Sequence, residues 1–152
     1  MLSAEDCKQL HKKMKLKIAL LAMVSLLLAG QASAQLHSNK DKYNYYVLTR
    51  NVAQLKPILL AAEALAKEDG GKFGEFQVVI CGKTVKDLVD KALMEPLLKT
   101  AKEQRVTLLA CGFSLQKFDV NPDGLPREIS VTENGILYGL QLQKEGYYSI
   151  TL

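Results

Sequence analysis

Two short, mostly apolar segments of this 152-residue chain each end in a Cys-Gly pair. The first covers residues 78–82 (VVICG) and the second covers residues 106–112 (VTLLACG). Because apolar runs of this length closed by glycine are typical of strands buried on both faces, both segments predict strands of a parallel sheet. Three further runs of apolar, aromatic or β-branched residues predict three more strands. The five predicted strands cover residues 43–49, 76–81, 105–111, 129–131 and 147–152.

The segments between the predicted strands carry apolar residues at helical spacing. Asn51 is placed to cap the first helix, and Pro96 is predicted to break the second helical segment and restart a helix after it. The predicted helices cover about 51–67, 84–104, 113–118 and 135–143. This alternation of strands and helices predicts a single three-layer α/β/α domain with a five-stranded, mainly parallel sheet.

Residues 1–34 have the composition of a secretory signal peptide. A cluster of lysines precedes an apolar stretch over 18–29, and the sequence Ala-Ser-Ala over 32–34 provides the small residues that signal peptidase requires. We therefore predict cleavage after Ala34 and export to the periplasm or the extracellular space. Because the apolar stretch is shorter than the roughly 20 residues of a spanning helix, we expect no stable membrane anchor after cleavage.

The same reasoning divides the chain into segments. Residues 1–13 could be an over-extended start, because Met14 follows them and basic residues and the apolar stretch continue beyond it. Residues 35–42 are polar and are predicted to be flexible, and residues 43–152 form the predicted α/β domain. Cleavage would leave 118 residues, a length that suits one domain with one core.

The composition of residues 35–152 argues against several kinds of site. They hold 15 basic and 14 acidic residues, a net charge of +1, so no basic patch predicts nucleic-acid binding. Only His37 remains among the histidines, which disfavours a His-rich metal site and a Ser-His-Asp triad. Neither a dinucleotide-binding nor a phosphate-binding glycine motif is present. We expect no cofactor and no resident metal ion.

Cys81 and Cys111 are the candidate reactive residues of this domain. Ligands of open α/β sheets bind at the carboxyl ends of the strands, where both thiols are predicted to lie. A thiolate at Cys111 could attack a disulfide, accept a sulfane sulfur atom or bind a metal ion, whereas the simpler interpretation is a buried structural cysteine. If the two strands are neighbours, a switchable or a permanent disulfide is feasible. The residues leave these alternatives open.

Neighbouring residues complete the predicted thiol site. Gly82 and Gly112 allow a ligand to approach the backbone closely. Ser114, as the cap of a following turn, would place free backbone N–H groups near the Cys111 thiol and favour its thiolate. Lys83 would lower the pKa of either thiol if its ammonium lay close, but the simpler interpretation of this lysine alone is a solvated loop residue.

Two further pairs of residues follow other predicted strands. Arg50 and Asn51 follow the first strand, where Arg50 could bind an anion or pair with a carboxylate. Asn51 is most simply a helix cap. Asn134 and Gly135 predict a turn after the fourth strand, which could also form one edge of the pocket.

This ordered set of motifs resembles the DsrE/DsrF-like family of small α/β sulfur-relay proteins. The resemblance rests on VVICGKTVKDL at 78–88, on the Pro96 helix that leads into RVTLLAC at 105–111, and on GYYSI at 146–150. It covers roughly residues 43–152. It implies the strand order 4-3-2-1-5, with the second and third strands adjacent, and assembly as a trimer or a hexamer.

The resemblance also implies a function, because the family carries persulfide sulfur on the cysteine at the position of Cys111. An exported member would handle thiols or sulfane sulfur, with Cys111 as nucleophile, Cys81 as resolving thiol and an unknown sulfur donor or acceptor as partner. The alternative is a non-catalytic oligomeric binding or assembly domain, with a structural Cys81–Cys111 disulfide or two buried thiols. A third alternative is a soft metal ion bound by both thiolates.

Overall fold

A computed structural model describes residues 42–152, and within them five strands alternate with helical segments. The strands are β1 (Tyr43–Thr49), β2 (Phe73–Ile80), β3 (Val106–Cys111), β4 (Ile129–Thr132) and β5 (Tyr148–Thr151). The α-helices are α1 (Leu55–Asp69), α2 (Lys91–Glu103), α3 (Gly112–Lys117) and α4 (Gly135–Lys144). Short 3-10 turns cover Val52–Gln54, Gly70–Lys72, Lys83–Val89 and Pro122–Gly124.

The strands form one sheet in the order β4-β3-β2-β1-β5, and every neighbouring pair is parallel. The three-layer α/β/α fold and the strand order 4-3-2-1-5 are therefore confirmed. In the β2–β3 pair, Ile80 lies opposite Ala110, and the residue that follows each of them in the sequence is a cysteine. Parallel pairing thus brings Cys81 and Cys111 to the same edge of the sheet.

The two faces of the sheet are covered unequally. Alternate residues of the strands, such as Val78 and Leu108, pack with α1 and α2 in the larger of two buried apolar clusters. The intervening residues face α4, where Val79 and Leu109 pack with Leu142 in a smaller cluster. Both cysteines belong to this smaller cluster, so their side chains lie on the α4 face of the sheet.

The segment between β2 and β3 differs from the predicted interrupted helix. Residues Lys83–Val89 form 3-10 turns, and a separate helix begins at Lys91. The Asp90 side chain caps that helix by accepting the Leu93 N–H at 3.2 Å. Pro96 lies inside α2, so the prediction that it breaks the helix is wrong; the helix continues despite the backbone hydrogen bond that proline cannot donate.

The predictions for the leader lie outside the described residues. These are the signal peptide over 1–34, the over-extended start over 1–13 and nearly all of the flexible segment over 35–42. Among residues 42–152, no helix combines the length and apolar character needed to cross a membrane.

Candidate functional site

The cysteines lie where the ends of β2 and β3 meet the start of α4. Cys81 directly follows β2, and its backbone N–H donates to the Thr49 carbonyl oxygen at 2.9 Å, which holds the end of β2 against β1. Cys111 is the last residue of β3 and precedes α3. Both are free thiols and are buried, with 8% of Cys81 and 5% of Cys111 exposed.

Cys111 accepts a hydrogen bond from the first residue of α4. The Asn134 side chain accepts the N–H groups of Ile136 and Leu137, whereas the Gly135 N–H points to the Cys111 Sγ atom at 3.5 Å. Burial by itself raises the pKa of Cys111, but donors more than offset it: the Gly135 N–H, Ser114 through its hydroxyl and N–H, and the Cys81 thiol. The pKa of Cys111 is therefore lowered below its ordinary value, which favours the reactive thiolate.

Cys81 has the opposite electrostatic environment. Burial raises the pKa of Cys81 to about 12, and the neighbouring Cys111 adds to the increase by its charge and by accepting a hydrogen bond. The Arg50 guanidinium and the Ser114 hydroxyl act in the other direction but do not reverse it. The pair consequently holds one thiol that ionises readily and one that stays protonated and can donate to it.

A glycine at the start of α4 permits this close packing. A Cβ atom on Gly135 would lie 2.8 Å from Cys81 Sγ, 2.7 Å from Val79 Cγ1 and 3.4 Å from Cys111 Cβ. Real Cβ atoms do not approach other atoms as closely as the first two distances, so a side chain here would push α4 away from Val79 and Cys81. The Tyr46 hydroxyl fixes the same point by donating to the Gly135 carbonyl oxygen at 2.8 Å.

The thiols open into a pocket of about 490 Å³. Its wall is mostly apolar and includes Leu48, Phe113, Phe118, Ile136 and Leu140. Polar and small residues complete the lining: Tyr46, Arg50, Cys81, Gly82, Cys111, Ser114, Lys117, Asn134, Gly139, Gln143 and Thr151. Pockets of this size, apolar with a few convergent polar groups, are typical of small-molecule sites.

Several of the residues expected around the thiols come together in this pocket. Arg50, Gly82 and Ser114 line it with both cysteines. Gly82 has a positive φ of 75°, which glycine adopts without strain, and its N–H donates to the Ser114 hydroxyl at 2.8 Å. This bond ties the chain after β2 to helix α3.

Three other expected residues lie outside the lining. Lys83 is exposed and does not line the pocket, so the structure does not bring its ammonium to the thiols. Asn51 is exposed and caps the turn Val52–Gln54 by accepting the Ala53 N–H at 3.0 Å. Gly112 supports the site from behind, because a Cβ atom there would lie 3.1 Å from the Glu133 carbonyl oxygen.

Tyr46, Lys117 and Phe113 are among the pocket residues that sequence reasoning missed. Tyr46 alternates with the buried residues of the other sheet face, so strand periodicity alone could have assigned it to the side of the cysteines. Lys117 follows Ser114 by three residues on α3, a spacing that puts both on one side of a helix. Phe113, next to Cys111-Gly112, is 52% exposed although it is large and apolar.

The described residues contain no group of three or more His, Cys, Asp or Glu side chains arranged to hold a metal ion. The two thiols would supply only two ligands by themselves, whereas structural zinc sites use four.

Comparisons with known proteins identify the fold. No protein-family model matches the chain, and no curated protein matches it. Among solved structures, the chain is similar to a protein of unknown function, MTH1491 from Methanobacterium thermoautotrophicum. The two share 17% sequence identity with a TM-score of 0.63, and the match covers 74% of this chain and 100% of the other. This chain therefore has the fold of MTH1491.

Proposed function

We propose that this protein is an exported DsrE-like protein that handles thiols or sulfane sulfur. In this proposal Cys111 is the nucleophile and persulfide carrier, and Cys81 is the resolving thiol. The observation that carries the proposal is geometric: two buried thiols lie after the paired ends of β2 and β3 in one pocket, and the Gly135 N–H lies 3.5 Å from Cys111 Sγ. The opposite directions of the two pKa shifts support it, since the pKa of Cys111 is lowered and that of Cys81 is raised to about 12. A pair in which one thiol forms a thiolate more easily and the other stays protonated suits thiol–disulfide exchange.

The first step would be loading of Cys111. Its thiolate attacks the terminal sulfur of a donor persulfide R–S–SH and forms a new S–S bond. The bond between this sulfur and R–S breaks, R–S⁻ leaves with the electron pair, and Cys111 becomes a persulfide. The Gly135 N–H, 3.5 Å from Cys111 Sγ, would stabilise the negative charge of the Cys111 thiolate before its attack.

Two routes would unload the persulfide. A thiolate of an acceptor attacks the outer sulfur, which leaves with the acceptor and restores the Cys111 thiolate. Alternatively, the Cys81 thiolate attacks the inner sulfur, which forms the Cys81–Cys111 disulfide and releases hydrosulfide. An external dithiol then reduces the disulfide and is itself oxidised. The raised pKa of Cys81 would delay the second route until the proton of Cys81 has been removed.

Export and assembly complete the proposal. Export follows from the signal-peptide pattern of residues 1–34, and a trimeric or hexameric assembly is taken over from the family resemblance. The apolar residues Ile136, Leu137 and Leu140 of α4 are each more than half exposed, which suits an assembling protein. Light scattering of protein purified without the leader tests the assembly, and an entirely monomeric protein would contradict it.

Intact mass of the purified protein tests the sulfur-carrier function. After incubation with a sulfane-sulfur donor, the wild type is expected to gain about 32 Da on Cys111 and to lose it in mild reductant. Cys111→Ser should gain nothing, whereas the matched variant Cys81→Ser should still load and then unload more slowly in the absence of an acceptor. A Cys111→Ser protein that carries and transfers sulfur as well as the wild type would remove the proposal.

The burial of both cysteines favours a second candidate, a non-catalytic oligomeric binding or assembly domain. In that case the pair would be inert, either as buried thiols or as a structural Cys81–Cys111 disulfide. Mild reductant would have no reversible effect on the folded protein, and Cys81→Ser would lower the free energy of unfolding. Thiol alkylation combined with mass measurement separates this candidate from the sulfur carrier.

A further inference from the structure

Two cations and no carboxylate line the pocket above the thiols. Arg50 follows β1, Lys117 lies on α3, and none of the lining residues is Asp or Glu. Within residues 42–152, neither cation takes part in a salt bridge. Both side chains are exposed at the pocket wall, so an incoming solute meets uncompensated positive charge.

Both cations line the same pocket as the thiols, and the positive charge of Arg50 acts on Cys81. Arg50 packs against the chain after β2, since its Nε atom lies 3.4 Å from the point where a Cβ on Gly82 would stand. The Lys117 ammonium lies 5.8 Å from the centre of the Phe118 ring, and that ring also lines the pocket. The N-terminus of α4 adds its partial positive charge at Cys111.

We propose that the sulfur donor of this site is a small anionic molecule whose sulfane sulfur lies next to an anionic group held by Arg50 and Lys117. This inference rests on the proposed function and specifies its substrate class. Thiosulfate and a carboxylate-bearing persulfide share this chemistry. With thiosulfate, the Cys111 thiolate attacks the outer sulfur, the S–S bond breaks, and sulfite leaves with the electron pair. With the persulfide, a carboxylate-bearing thiolate leaves instead.

The charge of the pocket can be measured without any sulfur donor, by alkylating Cys111 with anionic iodoacetate and with neutral iodoacetamide. These reagents are similar in size, so the ratio of their rate constants at Cys111 reports the local potential. Arg50→Gln combined with Lys117→Gln should lower the ratio of iodoacetate to iodoacetamide rates roughly three- to tenfold at low ionic strength. Rising salt should reduce the wild-type ratio toward that of the variant.

Lys86→Gln is the matched control, because it removes one exposed lysine of the turn after Cys81 that does not line the pocket. Its ratio should equal that of the wild type. The iodoacetamide rate serves as an internal reference for folding and for the thiolate fraction. An unchanged ratio in the Arg50→Gln/Lys117→Gln variant overturns the inference.

Persulfide formation on Cys111 from thiosulfate and from glutathione persulfide completes the test. Slower loading of the Arg50→Gln/Lys117→Gln variant by either anionic donor supports the inference and identifies which donor is used. Equal loading of variant and wild type overturns the inference but leaves the sulfur-carrier function standing. A wild-type protein that loads with neither anionic donor but loads with an uncharged sulfane-sulfur donor also overturns the inference, whereas a wild-type protein that loads with no sulfane-sulfur donor overturns the proposed function itself.

Discussion

Cys81 and Cys111 influence each other's ionisation in opposite directions. The Cys111 side chain contributes to the raised pKa of Cys81, and the Cys81 thiol contributes to the lowered pKa of Cys111. We therefore predict that Cys111→Ala lowers the pKa of Cys81 and that Cys81→Ala raises the pKa of Cys111, by roughly 0.7 pH units for one hydrogen bond of about 1 kcal/mol. The pH dependence of alkylation, followed by peptide mass, measures both. Shifts of the same sign in the two variants would contradict the coupling.

Ser114 links the two thiols through one hydroxyl group. Its oxygen accepts the Gly82 N–H at 2.8 Å, and its presence lowers the pKa of Cys81 and of Cys111. Since a hydroxyl has a single proton, it can donate to only one sulfur at a time. Ser114→Ala should raise the pH midpoint of Cys111 alkylation by roughly half a unit to one unit, and Ser114→Thr should restore it. A midpoint that stays unchanged in Ser114→Ala would show that backbone N–H groups alone stabilise the thiolate.

Helix α4 lies against the sheet at two glycines. A Cβ on Gly135 would meet Val79 and Cys81 at less than 3 Å, and a Cβ on Gly139 would lie 2.6 Å from atoms of the Tyr46 ring. Gly135→Ala and Gly139→Ala are each expected to reduce the free energy of unfolding by roughly 1–3 kcal/mol, because the helix must move outward. Gly71→Ala is the control, since nothing lies within 4 Å of the added Cβ and its φ is not positive. Urea unfolding measures all three, and equal stability of all three variants would contradict this packing.

The predictable parts of the fold are those encoded by local periodicity. Alternating and continuous apolar runs predicted all five strands, and β1 matches its predicted bounds of Tyr43–Thr49. The segment Lys83–Val89 was misassigned because its apolar spacing also suits an α-helix, whereas tertiary hydrogen bonds decide its structure. The Thr84 hydroxyl accepts the Val52 N–H at 2.9 Å, a partner distant in sequence that no local pattern reveals.

The candidate site was predictable only as far as strand ends define it. The Cys-Gly pairs predicted the two thiols at the carboxyl edge of the sheet, where the structure has them. Which cation lies near them depends on the path of the chain after each strand. Lys83 is nearer to Cys81 in sequence, yet it is exposed outside the pocket. The pocket is lined instead by Arg50, which follows strand β1.

At the scale of the whole domain, residues 42–152, tyrosine and cysteine side chains with raised pKa values outnumber those whose pKa is lowered. The pKa is raised for Tyr45, Tyr46, Tyr138, Tyr147 and Cys81, in each case chiefly by burial, whereas the pKa of Cys111 is lowered. A group whose pKa is higher in the folded state stabilises the fold below its unfolded pKa, and this contribution is lost as pH rises toward the folded value. Cys111 acts in the opposite direction, and its contribution is present above its ordinary value of 9.0.

We therefore predict that the protein loses stability on going from pH 8 to pH 10. Cys81 begins to add to this loss of stability near its ordinary pKa of 9.0. The reason is that the thiol ionises there in the unfolded chain, whereas in the folded protein it stays protonated up to about pH 12. Its share of the loss between these two pH values is about 1 kcal/mol. Urea unfolding at both pH values should show a larger loss in the wild type than in Cys81→Ala. Because Cys81→Ala also raises the pKa of Cys111, the stability that Cys111 gains over this pH range is smaller in the variant, and the difference between the two losses is reduced by that amount. Identical losses in the two proteins would mean that folding leaves the pKa of Cys81 at its ordinary value of 9.0, which would contradict the protonated resolving thiol of the proposal.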